Sequence, residues 1–131
     1  MAEGYFHRLH RETPTRLWIN NPTIEEGDQA IAAGAISCTT NPSYAARVIK
    51  MEPGRAMRAM REAIQEDSDD KRAADRAQQR IVKPIMDKFL HLYERNPGRQ
   101  GLVSIQGDPH ADGDADHIVD EALRFRKLST M

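Results

Sequence analysis

The sequence predicts an α/β chain built on parallel strands, and three observations carry that expectation. Between Arg16 and Ile49, two short apolar runs flank a helical stretch. The first, Leu17-Trp18-Ile19, ends in Asn20-Asn21; the second, Ala35-Ile36, leads into Thr39-Thr40-Asn41-Pro42. A third run from Leu102 to Gln106 follows the longest helical region and also ends polar. Strands that alternate with helices lie parallel, and parallel sheets take their ligands at the carboxyl ends of the strands. Asn20, Thr40, Asn41 and Gln106 are therefore expected to converge on one pocket.

Composition narrows the classes. The chain has 131 residues, enough for one domain with a core. It is 39% hydrophobic and 30% charged, as a soluble globular protein is. Nineteen basic against 20 acidic side chains leave a net charge of -1, which argues against nucleic acid or a membrane surface as partner. No apolar run approaches the ~20 residues that span a bilayer. The opening MAEGYFHRLHRETPT has no apolar h-region, so the cytoplasm is the default location. Cys38, the one cysteine, excludes an internal disulfide and a cysteine-based zinc cluster.

Residues 3–12 have the pattern of a short helix, broken by Thr13-Pro14-Thr15. The first strand is expected over Arg16 to Asn20. Thr23 and Glu26 have capping-box spacing, with Asn21 before Pro22 as an alternative start. That helix runs to Ala33 and stops at Gly34. Its inner stripe, Ile24, Gly27, Asp28 and Ile31, is thin. The second strand covers Ala35 to Thr40. A helix from Asn41-Pro42 to Lys50 follows, with Tyr44, Ala45, Val48 and Ile49 as its apolar positions.

Residues 54–95 form the longest helical region, interrupted by the acidic run Glu66 to Asp70. Met57, Met60 and Ile64 are spaced as core filler in its first half. Ala74, Ala77, Ile81, Ile85, Phe89 and Leu92 share one face of its second half, which Pro84 should kink. Asn96-Pro97-Gly98 stops it. The third strand covers Leu102 to Gln106. A final helix runs from Asp114 to Lys127, with Ile118, Ala122 and Phe125 inward and charges that suit its dipole.

Several residues invite a chemical reading. His7 and His10 are three apart, a spacing open to metal, but two solvated histidines on a terminal helix is the simpler account. Cys38 lies inside a strand and reads as a small buried hydrophobe rather than a nucleophile. Asp112, Asp114 and Asp116 imitate the start of a calcium loop, yet His117 stands where glycine is needed and Leu123 where glutamate is needed. A helix cap explains those acids more simply, and no metal site is assigned. At the strand ends, Asn41 is either a ligand-facing amide or an N-cap. Asn20 and Asn21 have turn chemistry as an alternative, and Gln106 could satisfy backbone groups.

The Thr39-Thr40-Asn41-Pro42 element after the Gly34-Ala35 turn, with GLVSIQGDP from Gly101 to Pro109, resembles the transaldolase family. The likeness covers the first three βα units of that family's eight. It implies a partial (β/α)8 TIM barrel: residues 1–15 a helical extension, residues 16–131 units one to three. It also implies ketose-phosphate chemistry in carbohydrate metabolism, as in the pentose phosphate pathway, through a Schiff base on a fourth-strand lysine, without cofactor or metal. The family's substrate-contacting asparagine falls on Asn41, with Thr40 beside it. Its proton-handling acids at the ends of strands one and three fall on Asn20 and Gln106, both amides here. A carboxylate exchanges protons near neutral pH, and an amide does not.

A barrel of this kind needs ~250 residues, so three strands leave two open edges. The chain therefore reads as truncated, with the remainder of the barrel or another protein chain covering the edges. Its five lysines, Lys50, Lys71, Lys83, Lys88 and Lys127, all fall in helical stretches or at helix ends. None is a credible Schiff-base lysine, so the chain alone is expected to be inactive. The alternatives are a non-catalytic remnant that binds a sugar phosphate or a partner, and an unrelated small interaction module.

Overall fold

The computed structural model describes residues 4–130. In chain order the main elements are α1 (Tyr5–Glu12), β1 (Trp18–Asn20), α2 (Ile24–Ala33), β2 (Ser37–Thr39), α3 (Ser43–Met51), α4 (Pro53–Glu66), α5 (Asp70–Arg95), β3 (Val103–Ser104) and α6 (Ala115–Arg126). They fall into two compact units. The first runs to Thr39 and resumes over Pro84–Ser104; the second comprises Thr40–Lys83 and the chain from Ile105. The expected start of the first helix at Glu3 lies outside the described residues.

The first unit holds the sheet. Its order is β1-β2-β3 and both pairings are parallel. Asn20 is in register with Thr39, and Thr39 with Ser104. All three strands are shorter than the sequence suggests, because ladder pairing is confined to two or three residues of each. α2 joins β1 to β2 and begins as expected: Thr23 accepts the Glu26 amide hydrogen at 3.2 Å, and Glu26 accepts that of Thr23 at 2.8 Å. Gly34 ends it in the left-handed region, at φ 109°.

Below α2, Gly27 leaves room for Ile85 of α5: a Cβ there would stand 3.5 Å from Ile85 Cδ1. Ile85 and Phe89 are fully buried and, with Ile36 and Cys38, form the core of this unit. Lys88 of α5 pairs with Asp28 of α2 at 2.8 Å. After α5 the chain turns at Gly101, whose φ is 72° and whose amide donates to the Ile36 carbonyl at 2.7 Å. A Cβ at Gly101 would overlap the Tyr93 backbone, so only glycine lets β3 start this close to α5.

α1 buries no residue, and two histidines tether it instead. His7 Nε2 lies 3.1 Å from the Ala32 carbonyl oxygen, and the Leu17 amide donates to His10 Nε2 at 2.9 Å. The expectation of two merely solvated histidines is therefore corrected. With no core beneath α1, imidazoles long enough to reach α2 and the approach to β1 fix it in place. His10 is held below its usual pKa, first by burial and then by Arg16 and His7.

The second unit is helical. Pro53 opens α4 one residue after α3 ends, so the Met51 to Gly54 stretch is a corner between two helices. α4 corrects the expected inner stripe. Ala56, Ala59 and Ala63 are buried, while Met57 and Ile64 are 45% and 65% exposed. Small side chains let two helices approach closely, and the bulkier methionines rotate outward. The Arg55 guanidinium locks the arrangement, donating to the Ile81 carbonyl at 2.6 Å, to Glu52 at 2.7 Å and to the Tyr44 hydroxyl at 3.4 Å.

On α3, Tyr44 and Val48 are buried but Ile49 is exposed. α5 starts after Asp69, which accepts the Arg72 amide hydrogen at 3.0 Å. Its inward residues in this unit are Ala73, Ala77, Ile81 and Val82; Ala74 faces out, one position off the expected phase. α5 remains helical through Pro84, where the chain passes from the second unit to the first. α6 departs furthest from expectation. Ile118 is 45% exposed and Ala122 is exposed, while Glu121 is its one buried residue.

Candidate functional site

The parallel sheet brings the carboxyl ends of its three strands to one end of the first unit. Asn20, Thr39 and Ser104 stand side by side there, in register across β1, β2 and β3. Side chains in register on adjacent parallel strands share a face, so this is a row of three polar groups. The Thr39 hydroxyl donates to Asn20 Oδ1 at 2.9 Å. Asn20 Nδ2 is then left as a donor without a partner among the described residues. Just beyond the strand, Asn21 takes φ 51°, which asparagine tolerates better than most residues, and donates its amide hydrogen to the Thr39 carbonyl at 2.9 Å.

The pattern of alternating strands and helices pointed to Asn20 but passed over Thr39 and Ser104. The register supplies them: a residue directly across from Asn20 on each neighbouring strand shares its surroundings. Cys38, one residue before Thr39, faces the other way and is fully buried. Burial pushes its thiol up to about 12, so it stays protonated and unreactive at neutral pH, as a small buried hydrophobe should.

The remaining expected residues belong to the second unit. Thr40 is 1% exposed. Asn41 Oδ1 accepts from the Ser43 amide at 3.1 Å and from the Ser43 hydroxyl at 2.6 Å, and its carbonyl accepts the Tyr44 amide hydrogen at 2.8 Å. Asn41 thus organises the start of α3. Gln106 has an exposed side chain, and its carbonyl accepts from Gln78 Nε2 at 3.0 Å. The acidic loop after Gln106 is built of caps: Asp108 accepts the His110 amide hydrogen at 2.9 Å, and Asp114 accepts that of His117 at 3.1 Å. Asp114 is the N-cap of α6, the role its position suggests.

The chain runs strand, helix, strand, long helical excursion, strand, with a polar residue at each strand end. The protein-family model for transaldolase/fructose-6-phosphate aldolase matches residues 17–130. The chain belongs to the transaldolase/fructose-6-phosphate aldolase family. No curated protein and no solved structure matches it. Membership places the chain in carbohydrate metabolism, among enzymes of transferase type acting on sugar phosphates at family level. The family fold is a TIM barrel, of which the structure shows a partial sheet of three parallel strands with flanking helices. No helix among the described residues is long and apolar enough to cross a membrane.

Proposed function

We propose that the chain is the N-terminal part of a transaldolase-type barrel, and that the family reaction, transfer or cleavage of a three-carbon ketose-phosphate unit, depends on a Schiff-base lysine outside these residues. The family match over residues 17–130 carries this reading. The side chains available for the chemistry support it. Asn20 and Gln106 take the positions of the two proton-handling acids, and Thr40 with Asn41 the substrate-contacting positions.

An amide at position 20 can still accept the Thr39 hydroxyl, as it does here at 2.9 Å, and present a donor to a substrate hydroxyl. It cannot take up a proton near pH 7. The pocket's shape and hydrogen bonding are thereby retained, while acid/base work is relocated or lost. Lysine placement limits the chemistry further. Lys50 lies on α3, Lys71, Lys83 and Lys88 on α5, and Lys127 at the end of α6. A carbonyl-capturing lysine needs a desolvated pocket. Lys50, Lys71 and Lys127 are exposed, and Lys88 is held by Asp28.

The 131-residue chain is therefore expected to be inactive as an aldolase. The direct test is borohydride trapping with dihydroxyacetone or fructose 6-phosphate, followed by peptide mapping. No adduct is expected, and reduction of a substrate onto any of the five lysines would overturn the reading. A second reading is a non-catalytic member that binds a sugar phosphate or a partner chain through the same strand ends. The two amides where the family has acids favour it. Saturable fructose 6-phosphate binding, with turnover absent even when the remaining strands are supplied in trans, would select it.

A further inference from the structure

We propose that the second unit carries a separate site for a small, multiply charged phosphate-class anion, in the cleft where the first half of α5, the loop after β3 and α6 meet. The cleft has a volume of about 700 Å³, and none of Asn20, Thr40, Asn41 or Gln106 lines it. That size lies in the range of small-molecule sites. Five lysine and arginine side chains face it against three carboxylates.

Which of these charges remain unspent decides the ligand. Two acids are committed to the protein. Glu121, 7% exposed, accepts the Asp108 amide hydrogen through both oxygens, at 3.0 and 3.2 Å. Its carboxylate fills the space above Gly107, where a Cβ would overlap it. Asp75 accepts from Arg124 Nε at 3.3 Å and from Gln79 at 3.1 Å. Two groups of the opposite kind have nothing. The Lys71 ammonium makes no hydrogen bond or ion pair with a described residue. His117 Nε2 is buried and has no hydrogen-bond partner among the described residues. Arg72 and Arg76 are spent on Asp67 and Glu66, so the unspent capacity of the cleft is the Lys71 ammonium and, with its proton on Nε2, His117; both are complementary to an oxyanion. A phosphate with two or more negative charges would bring acceptors for Lys71, His117 and the free edge of Arg124.

Calorimetric titration of the full chain with inorganic pyrophosphate at low ionic strength tests the proposal. One saturable site per chain is expected, weakening as salt is added. Lys71→Gln combined with His117→Ala should lower affinity about tenfold or more, by removing a charge-assisted contact and a buried donor. Asp75→Asn should act in the opposite direction, raising affinity about threefold, because it removes a negative charge and releases Arg124. Urea midpoints of the variants report folding independently. Absence of saturation overturns the proposal, as does saturation that ignores the Lys71 and His117 changes. So does weakening by Asp75→Asn in a variant that remains folded, or loss of pyrophosphate binding on Asn20→Ala instead, which would place the anion at the strand ends.

Discussion

α5 and α6 carry similar apolar periodicity, yet they are held in place by opposite means. In the first unit, α5 presents Ile85 and Phe89, both fully buried, beneath α2 and the sheet. In the second unit, α6 leaves Ile118, Val119 and Leu123 between 45% and 56% exposed and buries a carboxylate instead. α1 follows α6 rather than α5: it buries nothing and is fixed by His7 and His10. Apolar spacing along a helix therefore proposes a core face, and a second layer of structure must cover that face before it becomes one. Where none does, a few directed hydrogen bonds position the helix. They offer less energy and more geometric precision.

Phe89→Ala should break the α5 side of this contrast most severely. Phe89 is 0% exposed, and truncating a fully buried phenylalanine costs about 3–5 kcal/mol through lost transfer energy and the cavity left behind. Urea denaturation followed by circular dichroism should show the midpoint collapse. A loss below about 1 kcal/mol would mean that the first unit's core is far looser than its burial indicates.

Glu121→Ala is the corresponding change on α6 and should cost less, about 1–3 kcal/mol. The Asp108 amide loses both acceptor oxygens in a part-buried setting, and a shielded donor left unmet carries a desolvation penalty of that order. The damage should be local. Hydrogen exchange should quicken at Asp108 and along α6 while Ile85 and Phe89 amides keep their protection. Uniform loss of protection would show that Glu121 supports more than its own helix.

The tether of α1 should respond to pH, and the sign follows from His10. Its folded-state pKa lies below the unfolded value of 6.5, chiefly because of burial, and the bond from the Leu17 amide requires an unprotonated Nε2. The unfolded state thus binds more protons than the folded state between the two values. The stabilisation is complete above pH 6.5 and is lost as pH falls through the lower, folded-state value. Leu17 amide exchange, corrected for its intrinsic pH dependence, should accelerate on acidification through that window. His10→Gln should abolish the dependence.

The contrast also explains what the sequence revealed. The α2 capping box, the Gly34 stop, the Asp114 cap and the buried Cys38 were legible because each rests on chemistry within a few residues. The parallel order was legible because strands and helices alternate. Ala56, Ala59 and Ala63 were not, since methionine and isoleucine outrank alanine on any hydrophobic count; close helix approach reverses that order, and only a packed neighbour reveals it. Thr39 and Ser104 were missed for a related reason, since a register pairing links residues 19 and 65 positions apart. Glu121 was the least legible: its burial depends on Gly107 leaving room for a carboxylate. At the strand ends the sequence offers polar positions, and the assignment of the family's acids to Asn20 and Gln106 is a proposal that rests on resemblance alone, because an amide at a strand end has several structural uses.

The smallest effect is the most discriminating. Leu123→Ser removes a large apolar side chain from a position that periodicity marks as ordinary helix and the structure leaves 53% exposed. If α6 is positioned by Glu121 and its cap, the substitution should change stability by no more than about 0.5 kcal/mol, as at an ordinary surface site. It should also raise solubility, since Ile118, Val119 and Leu123 together form an exposed apolar face. A loss near 2 kcal/mol would require that face to be covered in solution, by a second copy of the chain or by another segment. Sedimentation at two protein concentrations would then separate these cases, because self-association depends on concentration and coverage from within one chain does not.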